Sequence, residues 1–110
     1  IFTKIINKEM PADILYENDS VIAFRDVNPQ APVHFLVIPK KEIPTLNDIK
    51  EDDKDIIGEL FLVAKKLAAN EGLEKKGYRT IFNCNEDGGQ TVFHIHLHVM
   101  GGRQMNWPPG

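Results

Sequence analysis

Imidazole is the side chain most used to exchange protons near neutral pH, and it also attacks phosphorus and ligates metals. Three of this chain's four histidines, His94, His96 and His98, stand at alternate positions with Ile95, Leu97 and Val99 as their neighbours. Alternation is the period of a strand, on which successive side chains point to opposite faces. The sequence therefore predicts a strand from Phe93 to Met100, with Ile95, Leu97 and Val99 on a buried face. The three imidazoles would share the other face, with roughly 7 Å between neighbouring Cα atoms. The fourth histidine, His34, lies in a second apolar run, Val33 to Ile38. Each ring brings two nitrogens that need partners, so a row of them is a costly coat for a sheet. Three readings compete. A solvated strand is the weakest, since hydroxyls, Lys or Glu would be the usual choice. A metal site and nucleophilic or acid–base catalysis remain, and spacing alone leaves those two level.

Such a row has to be positioned by a fold. At 110 residues the chain predicts one domain, residues 1–110, with one modest core. Phe2 to Glu9 has helix-like spacing and predicts a helix of two turns stopped by Pro11. Ile14–Glu17 and Val21–Asp26 predict a hairpin about the turn signal Asn18-Asp19. Asn28 to Pro32 predicts a loop and His34–Ile38 a strong strand. Glu51 to Asn70 carries an apolar stripe at 3.6-residue period and predicts the one long helix, with Gly72 as its stop. The acidic run Glu51-Asp52-Asp53 reads as its solvated first turn. Tyr78–Asn83 predicts the strand before the histidine row.

The bulk numbers exclude several classes. Thirteen Lys and Arg against sixteen Asp and Glu leave a net charge of −3 and no basic stripe for nucleic acid. No apolar run approaches the length that spans a bilayer. A single cysteine, Cys84, makes no internal disulfide and favours a reducing compartment. A cytoplasmic and also nuclear location is the expectation. The chain opens on Ile1 without a methionine, and a short preceding N-terminal piece is expected.

The residues around the row narrow the choice. His94-Ile95-His96-Leu97-His98-Val99-Met100 reads histidine, apolar, histidine, apolar, histidine, apolar, apolar. Gly88-Gly89-Gln90-Thr91-Val92-Phe93 leads into it, and Gly101-Gly102 and Trp107-Pro108-Pro109-Gly110 follow. Upstream, Asp26 to Lys40 also fits. Together these resemble the histidine triad (HIT) superfamily in its histidine triad nucleotide-binding branch, over nearly the whole chain from Phe2 to Gly110. The resemblance implies an α+β fold with a five-stranded antiparallel sheet, one long and one short helix, and a sheet continued across a homodimer. It implies a purine nucleoside phosphoramidate hydrolase of the adenosine 5′-monophosphoramidase type, acting through a nucleotidyl-histidine. It implies no cofactor and no metal. The implied partners are a purine nucleotide of AMP or GMP type and a second copy of the chain.

The resemblance also distributes roles. His96 is the nucleophile, His98 contacts phosphate and leaving group, and His94 is an orienting member hydrogen-bonded towards His34. Phe2, Ile5, Phe24 and Val27 match a base-pocket wall and Asp26 a ribose-binding carboxylate. Asn83, Gly89, Gln90 and Thr91 match the phosphate side, and Trp107 approaches the partner's leaving group. Arg25, Thr91, Phe93 and Asn106 depart from the residues common at their positions, and Arg25 joins the nucleotide contacts as a candidate determinant of base preference. Two alternatives stand beside this reading. One is a nucleotide-binding regulatory or interaction module with incidental hydrolysis. The other is a mononuclear metal protein built on the same histidines.

Overall fold

The computed structural model describes residues 1–110. Five strands, β1 (Ile14–Glu17), β2 (Val21–Arg25), β3 (Val33–Pro39), β4 (Tyr78–Ile81) and β5 (Leu97–Gly101), form one sheet in the order β1-β2-β3-β5-β4. Every neighbouring pair is antiparallel. Strand β5, which carries His98, is thus an interior strand flanked by β3 and β4. Two helices complete the domain, α1 (Phe2–Ile6) and α2 (Lys54–Asn70). The α+β architecture is the one predicted.

Alternation decides which side chain faces what. Val21, Ala23, Phe35, Val37, Leu97 and Val99 point to one face and pack against Leu60, Val63, Ala64 and Leu67 of α2. Ile22, Phe24, Leu36 and Ile38 point to the other and pack against Phe2 and Ile5 of α1. Strands β2 and β3 are therefore covered on both faces, which is why they read as continuous apolar runs. Burial of each Val, Leu, Ile or Phe among them contributes about 1.5–3 kcal/mol.

Turn and helix ends have local causes. Asn18 Oδ1 accepts from the N–H groups of Ser20 and Val21 at 2.8 Å, closing the β1–β2 turn. Helix α2 ends in a Schellman arrangement: the Leu73 N–H reaches Ala68 O at 2.9 Å, the Gly72 N–H reaches Ala69 O at 3.0 Å, and Gly72 sits at φ 77°. Leu73 then folds back, buried, over Gly101 at the end of β5.

Four elements differ from expectation. Helix α1 stops at Ile6, because Lys8 adopts φ 64° and ends it well before Pro11. Glu51–Asp53 is a 3-10 turn rather than the first turn of α2. Its charge run is not all solvated: Asp53 is buried, paired with Lys41 and accepting the Lys50 N–H at 2.9 Å. Strand β4 ends at Ile81 rather than Asn83, and β5 begins at Leu97 rather than Phe93. The last β3–β5 pair is Val37 with Leu97. Beyond it Pro39 has no N–H for the ladder, its carbonyl takes the His94 ring, and the Ile95 N–H turns to Ile43 O at 2.8 Å.

Candidate active site

The face of the sheet carrying Phe24, Leu36 and His98 opens into a cleft of about 480 Å³ beneath α1. One end is apolar, walled by Phe2, Ile5, Met10, Phe24 and Leu36, with Val27 exposed at its rim. The other end holds Asp26, His34, Asn83, Gly89, Thr91, His96 and His98. The structure thus gathers most residues that the sequence singled out, from six separate stretches of chain.

Hydrogen bonds assign the proton on each ring. His94 donates from Nε2 to Pro39 O at 2.7 Å, and its buried Nδ1 has no partner. An unpaired buried acceptor costs about 1–3 kcal/mol, which the ring bears alongside its Nε2 bond. It ties down a segment that lacks ladder bonds. His96 donates from Nδ1 to the His94 carbonyl at 2.8 Å. Its Nε2 therefore keeps a lone pair, directed to the cleft. His34 Nδ1 accepts the Gln30 N–H at 3.0 Å, so its proton sits on Nε2 and is donated to His98 Nδ1 at 2.9 Å. His98 in turn carries its proton on Nε2, towards the cleft. The partner of His34 is His98, not His94 as the resemblance implied. The register explains it: His34 and Leu36 lie opposite Met100 and His98 on the cleft face, while His94 precedes the strand.

Electrostatics agree with this arrangement. Burial pushes His96 below its ordinary value, and burial first, then His96 and His34, push His98 down to about 4. Burial also lowers His34, opposed by Asp26. The nucleophilic candidate is neutral at pH 7, as attack requires. Phe2 packs edge-on against the His96 ring at 5.0 Å between centroids, so α1 both walls the apolar end and holds this imidazole.

The stretch that the resemblance assigns to phosphate is a turn over residues 85–89. A Cβ on Gly88 would lie 2.5 Å from the Cys84 carbonyl oxygen, and Gly89 adopts φ 79°, so both positions require glycine. The Gly89 N–H is spent on Glu86 O at 2.9 Å. Donors left uncommitted within the chain include the Thr91 N–H and hydroxyl and the Asn83 amide, all at the cleft.

Two implied contacts are not in the cleft. The Gln90 side chain is buried and fully used: Oε1 accepts the Asn85 N–H at 2.8 Å, and Nε2 donates to Pro44 O at 2.7 Å and Val92 O at 3.1 Å. It fastens the loop and leaves no side-chain atom for a nucleotide. The Arg25 guanidinium grips Glu71 at the end of α2 at 3.0 and 3.1 Å. Alternation puts it there, because Arg25 shares the α2 face with Val21 and Ala23. Trp107 is 82 % exposed and lies outside the cleft of its own chain.

Sequence reasoning missed Gln30 and Pro39, whose backbone groups set two of the ring tautomers and leave no side-chain signature. It missed Leu36 too, although the two-residue offset from His34 would have placed it. Asp26 Oδ2, His34 Nε2 and His98 Nδ1 lie within 4.8 Å of one another, a spacing that a metal ion could bridge. The Gln30 bond argues for a different use, since it leaves His34 Nε2 with a proton where a ligand needs a lone pair.

The comparisons with known proteins agree with this geometry. The HIT domain profile matches residues 7–105. An uncharacterised HIT-like protein of Synechococcus elongatus is 54 % identical over 110 residues, covering 100 % of this chain and 96 % of the relative. The crystal structure of a HIT family hydrolase from Legionella pneumophila Philadelphia 1 superimposes with a TM-score of 0.98 at 54 % identity, covering 100 % of this chain and 98 % of that one. A histidine triad nucleotide-binding protein from Candida albicans gives 0.84 at 30 % identity, covering 97 % and 81 %. The fold is that of the HIT family hydrolases, and the chain belongs to the HIT family.

Proposed function

We propose that this protein hydrolyses purine nucleoside phosphoramidates to the nucleoside monophosphate and an amine. The observation that carries the reading is the His96 ring, with Nδ1 tied to the His94 carbonyl and a neutral Nε2 lone pair facing the cleft. The apolar end takes the base by stacking and Asp26 accepts from the ribose hydroxyls. The Thr91 N–H and hydroxyl and the Asn83 amide donate to the phosphoryl oxygens. His96 Nε2 attacks phosphorus, the phosphorus–nitrogen bond to the amine breaks, and a nucleotidyl-histidine forms. Water then attacks the same phosphorus and releases His96. The C. albicans neighbour's nucleotide binding supports the substrate class.

The test is turnover of adenosine and guanosine 5′-phosphoramidates with and without a chelator, followed by rapid quenching and peptide mapping. The expected result is metal-independent release of monophosphate and a nucleotide mass on His96. An adduct on His94 or His98 would reassign the nucleophile. Activity lost to chelator and restored by zinc would favour the metal reading.

The catalytic unit is proposed to be a homodimer. Strand β4 is a sheet edge, and Phe61 and Leu62 of α2, Tyr78 of β4 and Trp107 of the tail are exposed at 44, 65, 37 and 82 %. Pairing two β4 edges would make a ten-stranded sheet, cover these side chains and bring each tail to the partner's cleft.

A further inference from the structure

We propose that Asp26 is the charge partner that lets the His34–His98 pair take up the proton needed by the departing amine. The inference rests on the hydrolase reading above. It assigns Asp26 a positioning role through His98, in addition to its ribose contact.

The difficulty is geometric. One proton lies between His34 Nε2 and His98 Nδ1, which are 2.9 Å apart. In this arrangement His98 is neutral, and a neutral imidazole N–H is too weak an acid to protonate an amine. Adding a proton to His98 Nδ1 would set two N–H groups against each other. His34 cannot yield by moving its proton to Nδ1, because the Gln30 N–H already points there at 3.0 Å. A second acceptor is needed, and Asp26 Oδ2 supplies it, 3.3 Å from His34 Nε2 and 4.0 Å from His98 Nδ1. Its other oxygen is held by the Asn28 N–H at 2.9 Å, which fixes the carboxylate. Small rotations of the two rings would point both N–H groups at Oδ2.

The titratable groups facing His98 are His34 from β3, His96 from its own segment and Asp26 beyond the end of β2. Arg25, next in sequence, is turned away to Glu71. Asp26 is the one anion among them, and the one influence that favours the protonated ring. The phosphoryl group of a bound substrate adds a second negative charge, so the pair charges when substrate arrives.

The proton balance closes. Doubly protonated His98 gives its Nε2 proton to the amine nitrogen as the phosphorus–nitrogen bond breaks, and remains neutral with Nδ1–H on Asp26. When water attacks the nucleotidyl-histidine, His98 Nε2 takes the proton that the water loses. The hydroxyl stays on phosphorus, the bonding pair returns to His96 Nε2, and the charged pair is restored.

The test compares two substrates with the same nucleoside 5′-phosphoryl group. Adenosine 5′-phosphoramidate needs a proton on its leaving group, whereas adenosine 5′-phosphorofluoridate expels an anion. In Asp26→Asn, lost ribose contact lowers kcat/KM for both and cancels in their ratio. The expected ratio of phosphoramidate to phosphorofluoridate turnover falls by about a hundredfold, the usual scale of general-acid catalysis. An equal loss for both substrates would overturn the proposal. A second measurement needs no variant. Ring-nitrogen NMR of the wild-type protein saturated with AMP is expected to show both His98 nitrogens protonated near neutral pH. A His98 protonated on Nε2 alone, with AMP bound, would overturn it. A wild type that turns over neither substrate defeats the hydrolase reading, and the NMR result then decides this one by itself.

Discussion

At the scale of single residues, the site is a set of tautomers, three fixed by backbone atoms and that of His98 by the His34 ring. His96→Ala should abolish turnover while AMP affinity, measured by calorimetry, stays within about tenfold, or 1.4 kcal/mol. More than a tenth of wild-type kcat in that variant would remove His96 from the nucleophile's place. Burial holds His96 below the ordinary imidazole value of 6.5, so the lone pair survives into mildly acid solution. For the phosphorofluoridate, kcat/KM should therefore fall on acidification with a midpoint below that value. The same burial has a cost in stability. His98 sits at about 4 against 6.5 for an unperturbed ring, so the unfolded chain binds more protons between these values. Stability is present above the unfolded value and is lost as pH falls towards the folded one, by up to about 3 kcal/mol for this ring. Urea midpoints should fall between about pH 7 and pH 5, and less so in His98→Gln. The residue types were legible in the sequence because histidines in a row are so rarely wanted. Their partners were not, since Gln30, Pro39 and His94 act through backbone atoms.

At the scale of elements, periodicity located every strand and both helices but not their ends. Ends are decided by contacts distant in sequence: Pro39 and Ile43 shorten β5, and Asp53 meets Lys41 before α2 begins. Arg25 shows the reverse case. The alternation Val21, Ala23, Arg25 already carried the information that its side chain faces α2. The end of β5 meets the turn after α2. A Cβ on Gly101 would lie 2.7 Å from Leu73 Cδ1. Gly101→Ala should lower stability by about 1–3 kcal/mol through overpacking, read by thermal unfolding, while AMP binding is kept. Gln90→Ala should act differently. It leaves the Asn85 N–H and two carbonyls without partners and loosens the turn over residues 85–89, so kcat should fall more than affinity for AMP. An unchanged kcat would mean that the loop holds its shape without this amide.

At the scale of the whole molecule, the sequence pattern carried the fold class and the cleft, because one interior strand links the core to the site. The tail is a different matter. Met105 is half-buried against its own chain, and Trp107 is left in solvent. Wild-type protein should therefore scatter light as a dimer. Deleting residues 104–110 should lower kcat/KM more for bulky apolar amines than for small ones, by about 1–3 kcal/mol. A uniform loss across amines would reduce the tail to packing.

Trp107 is also the chain's single tryptophan. Its indole would therefore be a built-in optical gauge of the proposed assembly. Wet indole emits further to the red than dry indole, so the spectrum should shift redward as the protein is diluted through its dissociation constant. No dye or tag is needed, and no other indole contributes background. The same light should report whether nucleotide tightens the pair, because saturating AMP would move that dilution midpoint if tail and cleft are linked.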